Sequence, residues 1–365
     1  MKKLCWIDHH IYDAGGFGTV TNNILNRLKG YDKHLIAIST KTLVPRQKEI
    51  INDIKIYYAY TSSQIGYWVK KIKPDIIVLY GAYPHIKHFD QGCPEKLKVP
   101  FIIYGVTDHP PIPFGLRRVY RRADKVLVPS EYSREVMRKA LIPNVDILYH
   151  GVDLNLYKPM PTKPLSGKNF VYGCVANNNL RKQFDRLLRA FKIVNKGVIA
   201  LMTEPTVVHS GMVSYNLPEL IEYLELKDKV IFNDYLSNGV AIPSNLMPYF
   251  YNQFDVHVLP TAFESGGLTY LESMACGIPN ITTDGGCARE LIGDSGLYIK
   301  VKDHFFTNWG NLALVDVDDL ADKMNMIYNN NDLLVELATK GLNRIKQFTW
   351  DRTIFKLRTV LEDLL

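Results

Sequence analysis

The sequence has no long hydrophobic run. Its best, Ile76–Tyr83, is eight residues, less than half of the ~18 that a membrane-spanning helix needs. The basic start Met1-Lys2-Lys3 is followed by only four apolar residues before Asp8-His9-His10, too few for the core of a secretory leader, so none is expected. Cysteine is scarce. The five, at 5, 93, 174, 276 and 287, are odd in number, widely spaced and never C-x-x-C, which speaks against a disulfide framework or a zinc ribbon and for a reducing, cytoplasmic setting. Repeats and low-complexity tracts are absent. Neither sign of charge dominates: 44 Lys+Arg against 37 Asp+Glu leave +7. That excess suits an anionic small ligand, an anionic membrane surface or nucleic acid, and selects none of them.

What is present is ordinary globular material, 47% hydrophobic and 22% charged. A length of 365 residues corresponds to about two domains of ~150 residues. Short apolar runs alternate with longer amphipathic segments, the pattern of parallel sheets wrapped by helices. Strands rich in Val, Ile and Tyr are expected at 3–8, 33–39, 54–60, 75–80, 99–106, 125–128 and 145–148. A second series is expected at 169–175, 197–203, 229–233, 255–259, 279–282 and 296–300, and from Val317 onward the pattern is nearly all helical. Between the two series, Tyr157–Gly167 holds three prolines within Pro159–Pro164 and can be neither helix nor interior strand. The expectation is two doubly wound, Rossmann-like α/β domains, 1–158 and 159–348, facing across a cleft. Ligands of such sheets sit at the carboxyl ends of strands, beside helix starts.

The densest chemistry lies between Asp255 and Gly296. A strand ends at Pro260, a turn through Ser265-Gly266-Gly267 follows, and a helix is predicted from about Gly267 to Ala275, stopped by Gly277 and Pro279. A helix start built of small residues offers its N–H groups to an anion such as a diphosphate. Glu264 stands just before that helix and Glu272 inside it, eight residues later. Alone, the pair could be helix-start electrostatics and a solvated face. Around an anion site, however, carboxylates suit the hydroxyl groups of a ligand that carries both phosphates and hydroxyls, as a nucleotide sugar does.

This stretch resembles the Glu-x7-Glu region of the retaining family-4 glycosyltransferases, which have the two-domain GT-B fold. The likeness continues through Asn280–Ile292, and includes Asp228-Lys229-Val230-Ile231-Phe232, His150-Gly151-Val152-Asp153 and Phe348-Thr349-Trp350. By that resemblance Glu264 meets hydroxyls of the donor sugar, Glu272 the ribose, and the N–H groups of Gly267, Leu268 and Thr269, beside Gly266, the diphosphate. The family's bulky aromatic after the first glutamate is replaced here by Ser265-Gly266. A lysine in the turn after the first strand of the second domain neutralises the leaving diphosphate, and Lys182 aligns with it. The arginine usual five residues earlier is Asn177 here, and Arg181 stands in from another position. Gly16, in the loop Asp13–Gly18, is expected near the donor phosphates or the acceptor. Either Asp108 or His109 would touch the reacting sugar. The last segment, 349–365, would be a helix packed back on the first domain.

Two further stretches are rich in charge of one sign. Arg117, Arg118, Arg121 and Arg122 share a helix face; the default is a solvated basic face, the functional reading a peripheral contact with an anionic membrane or acidic acceptor beside Phe114. Asp316-Val317-Asp318 has a metal-binding look but reads better as the acidic start of a helix. The resemblance implies a cytoplasmic, metal-independent hexosyltransferase that needs no cofactor. It would move a hexose from a GDP- or UDP-linked donor, as co-substrate, to a hydroxyl on a glycan, lipid or small molecule. The alternatives are a GT-B nucleotide-sugar binder without catalysis and a GT-B glycosyltransferase acting on DNA bases, although no aromatic-interleaved basic stripe supports a nucleic-acid partner.

Overall fold

The computed structural model describes residues 1–13, 15–38, 48–93, 97–107, 110–161, 169–206, 214–233, 236, 242–307 and 310–365. They form two units, Met1–Gly151 with Trp350–Leu365, and Val152–Thr349.

In the first unit, eight strands follow one another in the chain: β1 (Lys2–Asp8), β2 (Tyr31–Ile38), β3 (Lys48–Ile51), β4 (Ile54–Ala59), β5 (Ile76–Gly81), β6 (Phe101–Gly105), β7 (Lys125–Val128) and β8 (Val145–Ile147). Their order in the sheet is β3-β4-β2-β1-β5-β6-β7-β8. All neighbours are parallel except β3 and β4. The central strands are apolar along their length because helices cover both faces: all six residues of β5 are buried. The short β3 has no such run and was not legible in the sequence. It is an edge strand whose residues alternate between exposed and half-buried, so one face never needs apolar side chains. The last helix, Trp350–Leu364, belongs to this unit; Leu357 and Leu361 are buried, and Thr353 Oγ1 donates to Tyr149 O at 2.9 Å. His150 is buried near Trp350 and Tyr80, as a packing residue.

The second unit contains β9 (Val171–Val175), β10 (Val198–Met202), β11 (Val230–Phe232), β12 (Val256–Leu259), β13 (Asn280–Thr283) and β14 (Gly296–Ile299). They form a parallel sheet in the order β11-β10-β9-β12-β13-β14. An antiparallel hairpin follows, β15 (Val301–Thr307) and β16 (Gly310–Val315), in addition to the strands expected from the sequence.

The units divide after Gly151, whereas the proline-rich stretch had suggested residue 158. Val152 N–H donates to Phe348 O at 3.0 Å, and Met160 N–H to Asn252 Oδ1 at 2.7 Å, so residues 152–161 already pack on the second unit. Prolines mark where regular structure stops, not where tertiary contacts change hands. Residues 162–168 of that stretch lie outside the described ones. No described helix is long and apolar enough to cross a membrane.

Candidate functional site

Strand order in the second sheet decides which turns meet. β9 lies between β10 and β12, so the winding reverses between β9 and β12, the place where open parallel sheets bind ligands. From the end of β9 the chain passes through a 3-10 turn, Leu180–Lys182, into the helix Phe184–Val194. From the end of β12 it passes through Pro260–Gly267 into the helix Leu268–Ala275.

The two turns are joined by an ionic cluster. Arg181 Nη1 lies 2.9 Å from Glu264 Oε1, and Lys182 Nζ donates to the same oxygen. Arg181 also donates to Phe263 O and reaches Thr261 Oγ1 at 3.5 Å, while Ala262 N–H donates to Arg181 O at 2.7 Å. The three charged side chains are only 10–14% exposed, so their mutual attraction is poorly screened. Burial by itself would raise the Glu264 pKa, but the Arg181 and Lys182 charges override it and hold the carboxyl well below its usual range.

Gln183 sets this turn. Its backbone is left-handed, φ 51°, and its side chain reaches β16, donating to Ala313 O at 2.9 Å and accepting from Val315 N–H at 3.1 Å. On the opposite side, Cys287 N–H donates to Glu264 O at 2.9 Å. The helix Leu268–Ala275 starts from Gly267, φ 50°, with no side-chain cap, leaving the N–H groups of its first turn to meet an anion. A Cβ at Gly267 would stand 2.6 Å from the Tyr270 ring.

Glu272 sits in a different environment. Tyr251 Oη donates to its Oε2 at 2.8 Å and Tyr157 Oη to its Oε1 at 3.2 Å. Burial raises its pKa to about 7 despite these two donors. Beneath both turns, buried His257 accepts from Val175 N–H at 3.4 Å and donates from Nδ1 to Asn280 Oδ1 at 2.8 Å. That pins the end of β9 to β12, with burial keeping the ring neutral, its pKa about 4.

Residues 160–344, just over half of the chain, match the family Glycosyl transferases group 1. The chain belongs to the group 1 glycosyltransferases. Residues 14–156 of this group 1 glycosyltransferase match Glycosyltransferase Family 4. An uncharacterised glycosyltransferase of Methanocaldococcus jannaschii is 22% identical over all of this chain and 99% of its own length. A GDP-mannose-dependent phosphatidylinositol monomannoside mannosyltransferase of Mycolicibacterium smegmatis is 27% identical over 49% of each chain. Among solved structures, sucrose-phosphate synthase of Thermosynechococcus elongatus superposes with a TM-score of 0.82 at 15% identity, covering 100% of this chain and 99% of that one. HepE of Anabaena, solved with UDP-glucose, gives 0.75 at 17% identity with 100% of both chains covered. The fold is GT-B, as expected, and the protein is a glycosyltransferase.

Other predicted residues of the group 1 transferase lie elsewhere. Gly16 opens the helix Gly16–Arg27 after β1, in the first unit. Asp108 and His109 lie outside the described residues. The four arginines of the helix Phe114–Arg122 bond within their own unit. Arg118 and Arg122 share Asp90, at 2.7 and 2.8 Å; Arg121 Nη2 donates to Ala140 O and Arg117 Nε to Ile112 O, both at 3.4 Å. Asp316 caps the helix Val317–Tyr328, accepting from the N–H groups of Asp318 and Asp319. Sequence reasoning missed Gln183, Tyr157 and Tyr251, whose partners lie far away in the chain. It also missed Asp8, His9 and His85, the one group among the described residues with metal-ligand chemistry: one ligand atom from each lies within 4.8 Å of the others. The acidic-histidine pair at the end of the first strand was its available signal.

Proposed function

We propose that this glycosyltransferase moves a hexose from a GDP- or UDP-linked donor to an acceptor hydroxyl with retention at the anomeric carbon. The observation that carries the reading is the convergence of Arg181 and Lys182 on Glu264 at the carboxyl ends of β9 and β12, beside the start of the helix Leu268–Ala275. The two cations and the first-turn N–H groups suit a diphosphate. Glu264, ionised by the same cations, suits the donor sugar's hydroxyls, and Glu272, oriented by Tyr157 and Tyr251, those of the ribose. The GDP-mannose dependence of the Mycolicibacterium relative and the UDP-glucose held by HepE support a nucleotide-sugar donor.

In the proposed step the bond from the anomeric carbon to the phosphate oxygen breaks. The acceptor oxygen bonds to that carbon on the same face, and its proton passes to the leaving phosphate. Arg181 and Lys182 stabilise the departing charge, which such groups typically do by roughly 100- to 1,000-fold each, so the scheme calls for no metal. Thermal unfolding with UDP and GDP is the test, since a ligand bound only by the folded state raises the transition. One nucleotide should raise it. If neither does, and no nucleotide is released from UDP- or GDP-sugars, the reading is wrong.

A further inference from the structure

The first sheet has its own reversal of winding, between β1 and β5, and the side chains there have no part in the reaction just described. Trp6 Nε1–H donates to Thr21 Oγ1 at 3.0 Å, and the Thr21 hydroxyl bonds to Asp8 Oδ2. An indole N–H can only donate, so Thr21 gives its own hydrogen to Asp8. Asp8 is fully buried, and its Oδ1 lies 3.0 Å from His9 Nδ1. With Asp8 accepting at both oxygens, His9 donates from Nδ1, so that its neutral ring carries the lone pair on Nε2. His85 takes the opposite tautomer. Its Nδ1 accepts the Ala82 N–H at 3.1 Å, which leaves the hydrogen on Nε2. Burial lowers its pKa to about 3 and keeps it neutral.

The two rings are 4.6 Å apart, and Phe17 stacks on His9 at 5.1 Å and lies 5.0 Å from His85. Gly81 makes the arrangement possible, because a Cβ there would stand 2.6 Å from His85 Cβ and 2.8 Å from its Nδ1. His9, 30% exposed, and His85 are both half-buried, and neither Nε2 has a partner among the described residues. An acceptor nitrogen and a donor nitrogen thus stand beside an aromatic ring at the carboxyl ends of the central strands β1 and β5. A hydroxyl group, which donates one hydrogen and accepts another, matches that pair. A metal ion matches less well, since both Asp8 oxygens already accept and the His85 lone pair is taken by a backbone amide. The Asp8 carboxylate also disfavours a diphosphate.

We infer that His9, His85 and Phe17 form a saccharide subsite in which His9 Nε2 accepts from, and His85 Nε2–H donates to, a hydroxyl of the acceptor sugar. Only the word acceptor rests on the transferase reading; the subsite itself does not. The test is imidazole nitrogen NMR on the full chain, titrated with methyl α-D-glucopyranoside, methyl α-D-mannopyranoside and, separately, zinc ion. The expected result is His9 protonated at Nδ1 and His85 at Nε2, with both Nε2 signals moved by at least one glycoside. In Phe17→Ala that response should disappear while the cooperative unfolding transition and its shift by UDP or GDP remain. Reversed tautomers, signals that neither glycoside moves, or signals that only zinc moves would overturn the inference. Loss of the nucleotide effect in the wild type, with the glycoside response intact, would instead remove the transferase reading and leave the subsite standing.

Discussion

Gly286 presses on the backbone of Glu264. A Cβ at Gly286 would stand 2.5 Å from Glu264 O and 2.8 Å from its N, and Gly286 has φ 58°. Only a glycine can combine that backbone with that proximity. The turn after β13 is therefore the back wall that fixes where the Glu264 carboxylate meets Arg181 and Lys182.

Gly286→Ala should accordingly displace Glu264. We expect a loss of stability of about 1–3 kcal/mol from the left-handed backbone and the clash, and a fall in transfer activity larger than that loss accounts for. Denaturant unfolding beside initial rates checks it; normal rates at reduced stability would show that the turn only supports the fold.

Lys182→Ala should lower turnover by roughly 100- to 1,000-fold, the usual cost of one charge-stabilising group. The variant also leaves Arg181 as the one cation on Glu264 among the described residues, so unfolding must be measured in parallel. Sugar transfer at a near-normal rate would contradict the role assigned to Lys182.

The two glutamates should respond to pH in opposite directions. The folded pKa of Glu264 is held below its ordinary value of 4.5, so its contribution to stability is present above pH 4.5 and is lost as pH falls through the folded value. The folded pKa of Glu272 is raised from 4.5 to about 7. Its protonated form is favoured by folding, so stability is fully present below pH 4.5 and falls as pH rises through about 7. Glu272→Gln should match the wild type at the acidic end of that window and gain on it toward neutral pH, whereas Glu264→Gln should be most destabilising at neutral pH. Parallel stability–pH curves for the two variants would contradict both environments.

Gln183→Ala leaves Ala313 O and Val315 N–H buried without their side-chain partner, a cost of about 1–3 kcal/mol for each unsatisfied group. The Arg181–Lys182 turn loses its tether to β16 at the same time. The expected signature is weaker stabilisation by UDP or GDP together with lower thermal stability. Gln183→Glu, which keeps one acceptor for Val315 N–H, should recover part of the stability.

Sequence by itself determined the series of parallel strands and the helix that starts after Gly267, because buried strands need unbroken apolar runs and the left-handed backbone at this start favours glycine. It also singled out Arg181, Lys182 and Glu264 at strand-to-helix turns and Glu272 eight residues further on, positions that are a local property of the chain. It did not indicate β3, which is half-exposed and carries no strong apolar pattern, or the β15–β16 hairpin, whose strand β15 is mostly exposed. It placed the domain boundary by proline content, while hydrogen bonds from Val152 and Met160 put it at Gly151.

Only the tertiary structure decided which charges share a carboxylate. Asn177, where an arginine was expected, is exposed, and Arg181 pairs with Glu264 beside Lys182 because β9 and β12 are neighbours, a fact of strand order rather than of sequence. The same holds for Glu272, which the chain presents as a helix residue and the fold encloses with the hydroxyls of Tyr157 and Tyr251. Asp8, His9 and His85 likewise acquire their chemistry only once β1 lies against β5. Local sequence sets what each turn can offer; the order of strands in the sheet sets which offers meet.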